Sequence, residues 1–334
     1  MDLRLTVVIP NWNGLEFLQG CLDALEQQTQ SHSVVVVDNG STDGSGEFVE
    51  RHYPEVSLLS LDHNQGFAGG VNRGIEIALE RKSDFVALLN NDAIVEKDWL
   101  EKLVDAMQQD PKIGIVTSKI LRQGSNLIHS TGDFYSIWAM PFPRGLDEID
   151  VGQYDDKNHG EVFAGSGGAS LYRVGMLEKI GLFDEDYFAY YEDTDISFRA
   201  HVAGWRVRYE PKAVVHHFVG GTSSKISGFT HYHSVKNLHL LYWRNMPGRL
   251  LIKYFPRYFV SMTMVLGGDI RKRRLSVYLR ATRTVLILVP KTLRQRAWNA
   301  KQRVVSTTHI DSLLWRQPPP VGLPKARLKR GRPL

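Results

Sequence analysis

A single cysteine, Cys21, among 334 residues excludes an internal disulfide framework and fits a reducing compartment. Long hydrophobic runs are missing as well. The two apolar stretches near the C-terminus, 258–266 and 277–289, fall short of the ~20 uninterrupted apolar residues of a spanning helix, and Arg280 and Arg283 break the second. Residues 1–10 have no cationic leader and only a five-residue apolar run before Pro10, so no signal peptide is expected and the chain is expected to work in the cytosol. No G-x-G-x-x-G stands between the first strand and helix, where Pro10 to Gly14 sits instead, which argues against a dinucleotide-dependent oxidoreductase. No internal repeat is present, and the only biased tract is Pro318 to Pro320.

The composition, 43% hydrophobic and 23% charged, is that of a globular protein long enough for two domains, or for one large α/β domain with an appendage. Charge divides the chain after Gly248. Residues 249–334 hold 20 Lys or Arg against Asp269 and Asp311, a charge of +18, whereas the remaining 21 cations face 34 acids, a charge of −13. Such a tail suits a polyanion, either nucleic acid or anionic headgroups, or it is simply solvated. Tyr254, Phe255, Tyr258, Phe259, Trp298 and Trp315 among the cations favour a helix lying in a membrane interface over a helical domain packed on the body.

The first 120 residues alternate strand-like and helix-like segments, the pattern of a mainly parallel sheet with crossover helices. Leu5 to Ile9, Val34 to Val37 and Phe85 to Leu89 read as strands ending in Pro10, Asp38 and Asn90. Leu15, Leu18, Leu22 and Leu25 recur at helical spacing, with Asn13 placed to cap; a second helix follows Gly66 to Gly74. Asp147 to Asp156 reads as a flexible surface excursion. The dense glycines Gly165, Gly167 and Gly168 imply a turn or a close approach. A helix beyond Asp193 stops at Gly204, and a strand then leads to His216 and His217.

Ligands of open α/β sheets bind outside the carboxyl ends of the strands. Asp38 and Asp92 stand there, as turn formers or as carboxylates able to accept N–H groups, bind a ribose or ligate a hard cation. Glu192, Asp193 and Asp195 precede a helix. Asp195 reads mainly as a cap, and Asp193, behind the aromatic run 187–191, as either a cap or a base for a hydroxyl proton. His216 and His217 are strand residues, metal ligands or proton carriers.

Together, Thr6 to Asn13, Val35 to Asp43, Asn64 with Gly66 to Ala68, Asn72 to Gly74, Asn90 to Asp92, Gly181 to Glu185, Tyr191 to Asp195, Ser197, Arg199, Gly204, Trp205, His217 and Gly220 to Ser223 resemble glycosyltransferase family 2 over about residues 5–245. The resemblance implies a GT-A fold, a mainly parallel central sheet flanked by helices, here with a basic helical C-terminal extension. It implies a catalytic domain over 1–248, with a nucleotide-binding half (1–120) and an acceptor half (121–248), followed by a membrane-associating region over 249–334. The implied activity is inverting transfer of a sugar from a UDP- or dTDP-sugar; the alternative is a non-catalytic protein that binds a nucleotide-sugar, or nucleic acid through the basic tail. Pro10 and Asp38 would hold base and ribose, Asn64 with Asn72 would support the nucleotide side, and Asn11, Gly66, Asn90, Asn91, Glu192 and Arg199 would also contact substrate. Asp92 and His217 would bind Mg²⁺ or Mn²⁺, and Asp193 would be the general base. Asn90 departs from the family's Asp-x-Asp, and His216 leaves the histidine ligand open by one position. The similarity is greatest to rhamnosyltransferase-type members, which implies a lipid-linked or polysaccharide acceptor and peripheral attachment at the inner face of the cytoplasmic membrane, with no nucleic-acid partner.

Overall fold

The computed structural model describes residues 3–218 and 228–320. Its strands are β1 (Leu5–Asn11), β2 (Ser33–Asp38), β3 (Ser57–Ser60), β4 (Phe85–Leu89), β5 (Ala93–Val95), β6 (Ile113–Arg122), β7 (Ile128–Ser130), β8 (Asp133–Tyr135), β9 (Pro141–Pro143), β10 (Ala169–Arg173) and β11 (Arg206–His217). The helices of the body are α1 (Leu15–Glu26), α2 (Ser45–His52), α3 (Gly66–Glu80), α4 (Trp99–Gln108), α5 (Val174–Ile180) and α6 (Glu192–Val202). Five more follow: α7 (Phe229–Asn245), α8 (Gly248–Arg271), α9 (Leu275–Ile287), α10 (Val289–Gln302) and α11 (Thr307–Leu313).

The main sheet runs β3-β2-β1-β4-β10-β6-β11-β5, with β7 paired to β6. Strands β1 to β4 are mutually parallel; β10 is antiparallel to both β4 and β6, and β11 is parallel to β6. The carboxyl ends of β1, β2, β4 and β11 therefore share one rim. Both faces are buried, which is why these strands read as unbroken apolar runs. Val7, Ile9 and Val36 pack under α1, α2 and α4, while their alternate neighbours Val8, Val35 and Val37 pack under α3, α5 and α6.

Several local expectations are corrected. Asn13 does not cap α1: it takes a left-handed conformation and accepts from the Thr42 N–H, while Asp43 accepts from Leu15 N at 3.0 Å. The 147–156 excursion is pinned, because the buried Lys119 ammonium bonds Asp150 at 3.0 Å and Asp155 at 2.7 Å. Asp195 is no cap either. It is 1% exposed and accepts from Tyr187 Oη, Asn245 Nδ2 and Arg199 Nε at 3.1, 2.6 and 2.8 Å.

The C-terminal helices build a third core. Leu250, Tyr254, Tyr258 and Met262 of α8 pack with Leu238, Leu241 and Tyr242 of α7, and Tyr258 stacks on Tyr242 at 4.1 Å. Tyr254 and Tyr258 are thus interior residues and not surface anchors. Trp315 packs against Phe134 and Phe142. Of the aromatics singled out in the tail, Phe255 and Phe259 are the large ones left exposed. No helix among the described residues is long and apolar enough to cross a membrane.

Candidate functional site

Three strand ends are stitched together by side-chain amides. Asn91 Nδ2 donates to Asn11 Oδ1 at 2.6 Å, and Asn11 Nδ2 donates to Asp38 Oδ1 at 3.3 Å and to Ser41 Oγ at 3.2 Å. Next to Asp38, Asn39 accepts from Gln65 N and donates to Asn64 Oδ1 and the Gly66 carbonyl. Gly66 has φ +78, and a Cβ there would lie 2.5 Å from the Phe188 carbonyl oxygen, so only glycine lets α3 begin against the 188–191 segment. Pro10, Asn11, Asp38, Asn64 and Gly66 thus gather on one side of the rim.

β5 pairs antiparallel with β11, placing His217 opposite Ala93 and beside Asp92. His217 Nε2 lies 2.9 Å from Asp92 Oδ1 and 3.3 Å from Asn90 Nδ2. Strand alternation turns His216 to the other face, where it meets Glu96 at 3.0 Å, so His217 is the histidine at Asp92. Among the described residues no group of three or more His, Cys, Asp or Glu forms a metal cage. A carboxylate and an imidazole nonetheless fit a divalent cation that takes its other ligands from diphosphate oxygens and water.

Asp193 opens α6. Oδ2 accepts from Gly167 N at 3.1 Å and Oδ1 from Thr194 N at 2.6 Å. Burial raises its pKa against the lowering effect of these bonds, which suits a base. Glu192 is raised well above the ordinary range by burial and by the charge of Asp193. The adjacent Gly168 accepts from Asn90 N at 2.9 Å, and a Cβ on it would meet Asn90 Nδ2 at 2.8 Å. One glycine turn therefore touches both the Asn90 to Asp92 turn and Asp193.

Asp193 is aimed by strained backbone. Phe188, Tyr190 and Tyr191 have φ of 64°, 70° and 67°, each costing about 1–3 kcal/mol. Asn237 of α7 packs on this segment, its Nδ2 lying 3.0, 2.8 and 2.6 Å from the carbonyl oxygens of Tyr187, Ala189 and Tyr190, which share its two N–H bonds.

Two expected substrate residues face inward. Asn72 donates to the Phe183 carbonyl and Glu185 and accepts from Phe183 N, tying α3 to the 183–185 segment. Arg199 spends its guanidinium on Asp195 and the carbonyls of Ile180, Gly181 and Leu182. Neither leaves its polar group to a ligand, because tertiary partners claim it first. Gly220 to Ser223 lie outside the described residues.

A model of the glycosyl transferase family 2 domain matches residues 6–181, more than half of the chain. The chain belongs to this family. Among its relatives is the N-acetylglucosaminyl-diphospho-decaprenol L-rhamnosyltransferase of Mycobacterium tuberculosis, 31% identical over 205 residues, 55% of this chain and 66% of the relative. The poly-beta-1,6-N-acetyl-D-glucosamine synthase of Staphylococcus aureus is 25% identical over 214 residues, 63% of this chain and 48% of the synthase. The chain thus spans about half to two thirds of the curated relatives it matches. The structure of the mannosyltransferase PcManGT of Pyrobaculum calidifontis, in complex with GDP-Man and Mn²⁺, covers 94% of this chain and 88% of its own, with a TM-score of 0.53 at 17% identity. The fold is GT-A, a mixed α/β sheet flanked by helices.

Two residues of this family 2 chain carried no sequence signal. Asp133 of β8 accepts from Ser130 Oγ at 2.7 Å and is pushed up to about 7 by burial and the charge of Asp193, which places a second acid near Asp193. His129 of β7 reaches His217, Nδ1 to Nδ1, at 3.1 Å, and burial holds it down at about 4. A lone acid in a Thr-Gly-Asp turn and a lone histidine in a short strand show nothing until the sheet juxtaposes them.

Proposed function

We propose that the chain is an inverting glycosyltransferase that moves a sugar, rhamnose foremost, from a UDP- or dTDP-sugar to a hydroxyl of a lipid-linked or polysaccharide acceptor in cell-surface glycan synthesis. The observation that carries this reading is the glycine turn, which bonds the Asn90 to Asp92 turn through Gly168 and Asp193 through Gly167. A cation-binding pair and a raised carboxylate then lie on either side of that turn. Asn11 and Asp38 hold the base and ribose at the ends of β1 and β2. Asp193 takes the proton of the acceptor hydroxyl as its oxygen attacks the anomeric carbon, and the bond to the diphosphate breaks on the opposite side, inverting the centre. Asp92 and His217 would hold Mg²⁺ or Mn²⁺, which when bound would supply charge neutralisation on the departing diphosphate. The name of the mycobacterial relative supports both rhamnose and a lipid diphosphate acceptor.

Pyrimidine nucleoside diphosphates are expected to raise thermal stability, by about 2.7 kcal/mol at 100 times the dissociation constant, and Asp38→Ala to remove most of that gain. Equal stabilisation by purine nucleotides would contradict the assignment.

The anionic inner face of the cytoplasmic membrane is the second partner in this reading. On α8, Ile252, Phe255, Phe259 and Ile270 recur at helical spacing and are all exposed, beside the buried face that carries Tyr254 and Tyr258. Cations flank this stripe, as an interfacial helix requires. Deleting the helices would open the third core, so surface substitution is the cleaner probe. Ile252→Glu with Phe259→Glu should lower binding to phosphatidylglycerol vesicles at least tenfold, with the melting temperature unchanged. Equal vesicle binding by this variant would sink the membrane role, and so would preferential binding of nucleic acid by the native chain.

A further inference from the structure

We propose that His129 is a positioning residue that sets the tautomer and ring plane of His217 for cation binding. The inference rests on the reading of Asp92 and His217 as the metal pair. A histidine that gives its Nε2 lone pair to a cation must carry its proton on Nδ1, and that N–H needs an acceptor to fix the ring. Here Nε2 of His217 faces Asp92, and the partner of its Nδ1 is Nδ1 of His129 at 3.1 Å. The two rings are inclined by only 21° with centroids 5.1 Å apart, and the Nδ1 atoms are within hydrogen-bond distance.

Only one of the two Nδ1 atoms can hold the shared proton. With a cation at Nε2 of His217, the proton sits on Nδ1 of His217, Nδ1 of His129 accepts it, and His129 carries its own proton on Nε2. The sheet holds this geometry from both sides. β7 pairs with β6 through Ser130 opposite Ile120 and Ile128 opposite Leu121, and β6 pairs with β11 through Leu121 opposite His216 and Arg122 opposite His217. His129 therefore reaches His217 across the end of β6, and its hydrogen bond to the pair is made to His217. A purely architectural contact would hold β7 in place whichever nitrogen carried the proton.

Two measurements on the full-length protein decide between these roles. In an electron paramagnetic resonance titration of free Mn²⁺ with UDP present, His129→Phe keeps a flat ring but lacks the acceptor, and is expected to weaken Mn²⁺ binding about 10- to 100-fold. His129→Asn, whose Oδ1 can accept, should recover most of the loss, and the melting temperatures of both should match the native chain. Native affinity in His129→Phe beside a loss in His217→Ala would overturn the role of His129. Native affinity in His217→Ala would remove the metal pair itself. The second measurement needs no variant: long-range ¹⁵N correlation spectra of the native chain with Mg²⁺ and UDP should show His217 protonated at Nδ1. Protonation at Nε2 in that state would overturn the proposal.

Discussion

Asp193→Asn is expected to cut turnover by about 10²- to 10⁴-fold while donor affinity and melting temperature stay near the native values. The amide keeps the shape of the carboxylate and an oxygen for Gly167 N or Thr194 N, so the local bonds largely survive and only the basicity is lost. Because burial raises the Asp193 pKa, its base form disappears as pH falls through that raised value. The native rate should therefore decline on the acid side earlier than an ordinary aspartate would impose, and Asp193→Asn should lose that limb. Asp195→Asn is the matched contrast. Asp195 is the buried partner of Arg199, so weakening it leaves a cation without its counter-charge and should cost on the order of 3 kcal/mol of stability, with a smaller effect on rate in the folded fraction. An active Asp193→Asn protein beside an inactive, stable Asp195→Asn protein would move the base two positions along α6.

Asp92→Ala should be nearly as damaging, lowering turnover about 10²-fold or more, since charge neutralisation on a departing diphosphate is worth several kcal/mol. The loss should appear in Mn²⁺ affinity as well as in rate. Asn90→Asp should tighten Mn²⁺ binding, because a carboxylate replaces a neutral amide 3.3 Å from His217 Nε2 and adds charge to a hard-cation site. Chelation by excess EDTA should abolish turnover and re-addition of Mn²⁺ restore it. Full activity in EDTA would sink the cation role.

The parts of the site that lie at strand ends were legible because buried parallel strands are short apolar runs stopped by Asn or Asp, and Asp38 and Asn90 to Asp92 stand at those stops. Strand periodicity also decides between His216 and His217 once β5 is known to pair with β11, a pairing no local pattern reveals. Where the reading failed, a distant segment supplied the partner. The cap of α1 comes from Asp43, 28 residues away, and Arg199 is consumed by carbonyls of the 180–182 segment. Helix α7 gave no amphipathic signature because Lys236, Asn237, Arg244 and Asn245 read as polar surface yet are buried. Their polar groups are spent on residues 184–195: Arg244 pairs with Asp184 and Asp186, Asn245 with Asp195, and Asn237 with the strained turn before Asp193. The tail misled for the converse reason: Tyr254 and Tyr258, which composition places at a membrane, pack inside α7 and α8, while Ile252 and Phe259 face outward.

The central claim is sugar transfer from a nucleoside diphosphate donor with Asp193 as base, and it is tested most directly by following donor and acceptor together. Full-length protein with Mn²⁺ would be given UDP- and dTDP-sugars, including dTDP-rhamnose, and a polyprenyl diphosphate acceptor bearing N-acetylglucosamine; free nucleoside diphosphate and the anomeric configuration of the product would be recorded. The account predicts one nucleoside diphosphate released per sugar transferred, an inverted anomeric centre, and a rate reduced at least 10²-fold in Asp193→Asn. Retention of configuration, or equal transfer by the native and Asp193→Asn proteins, would contradict it.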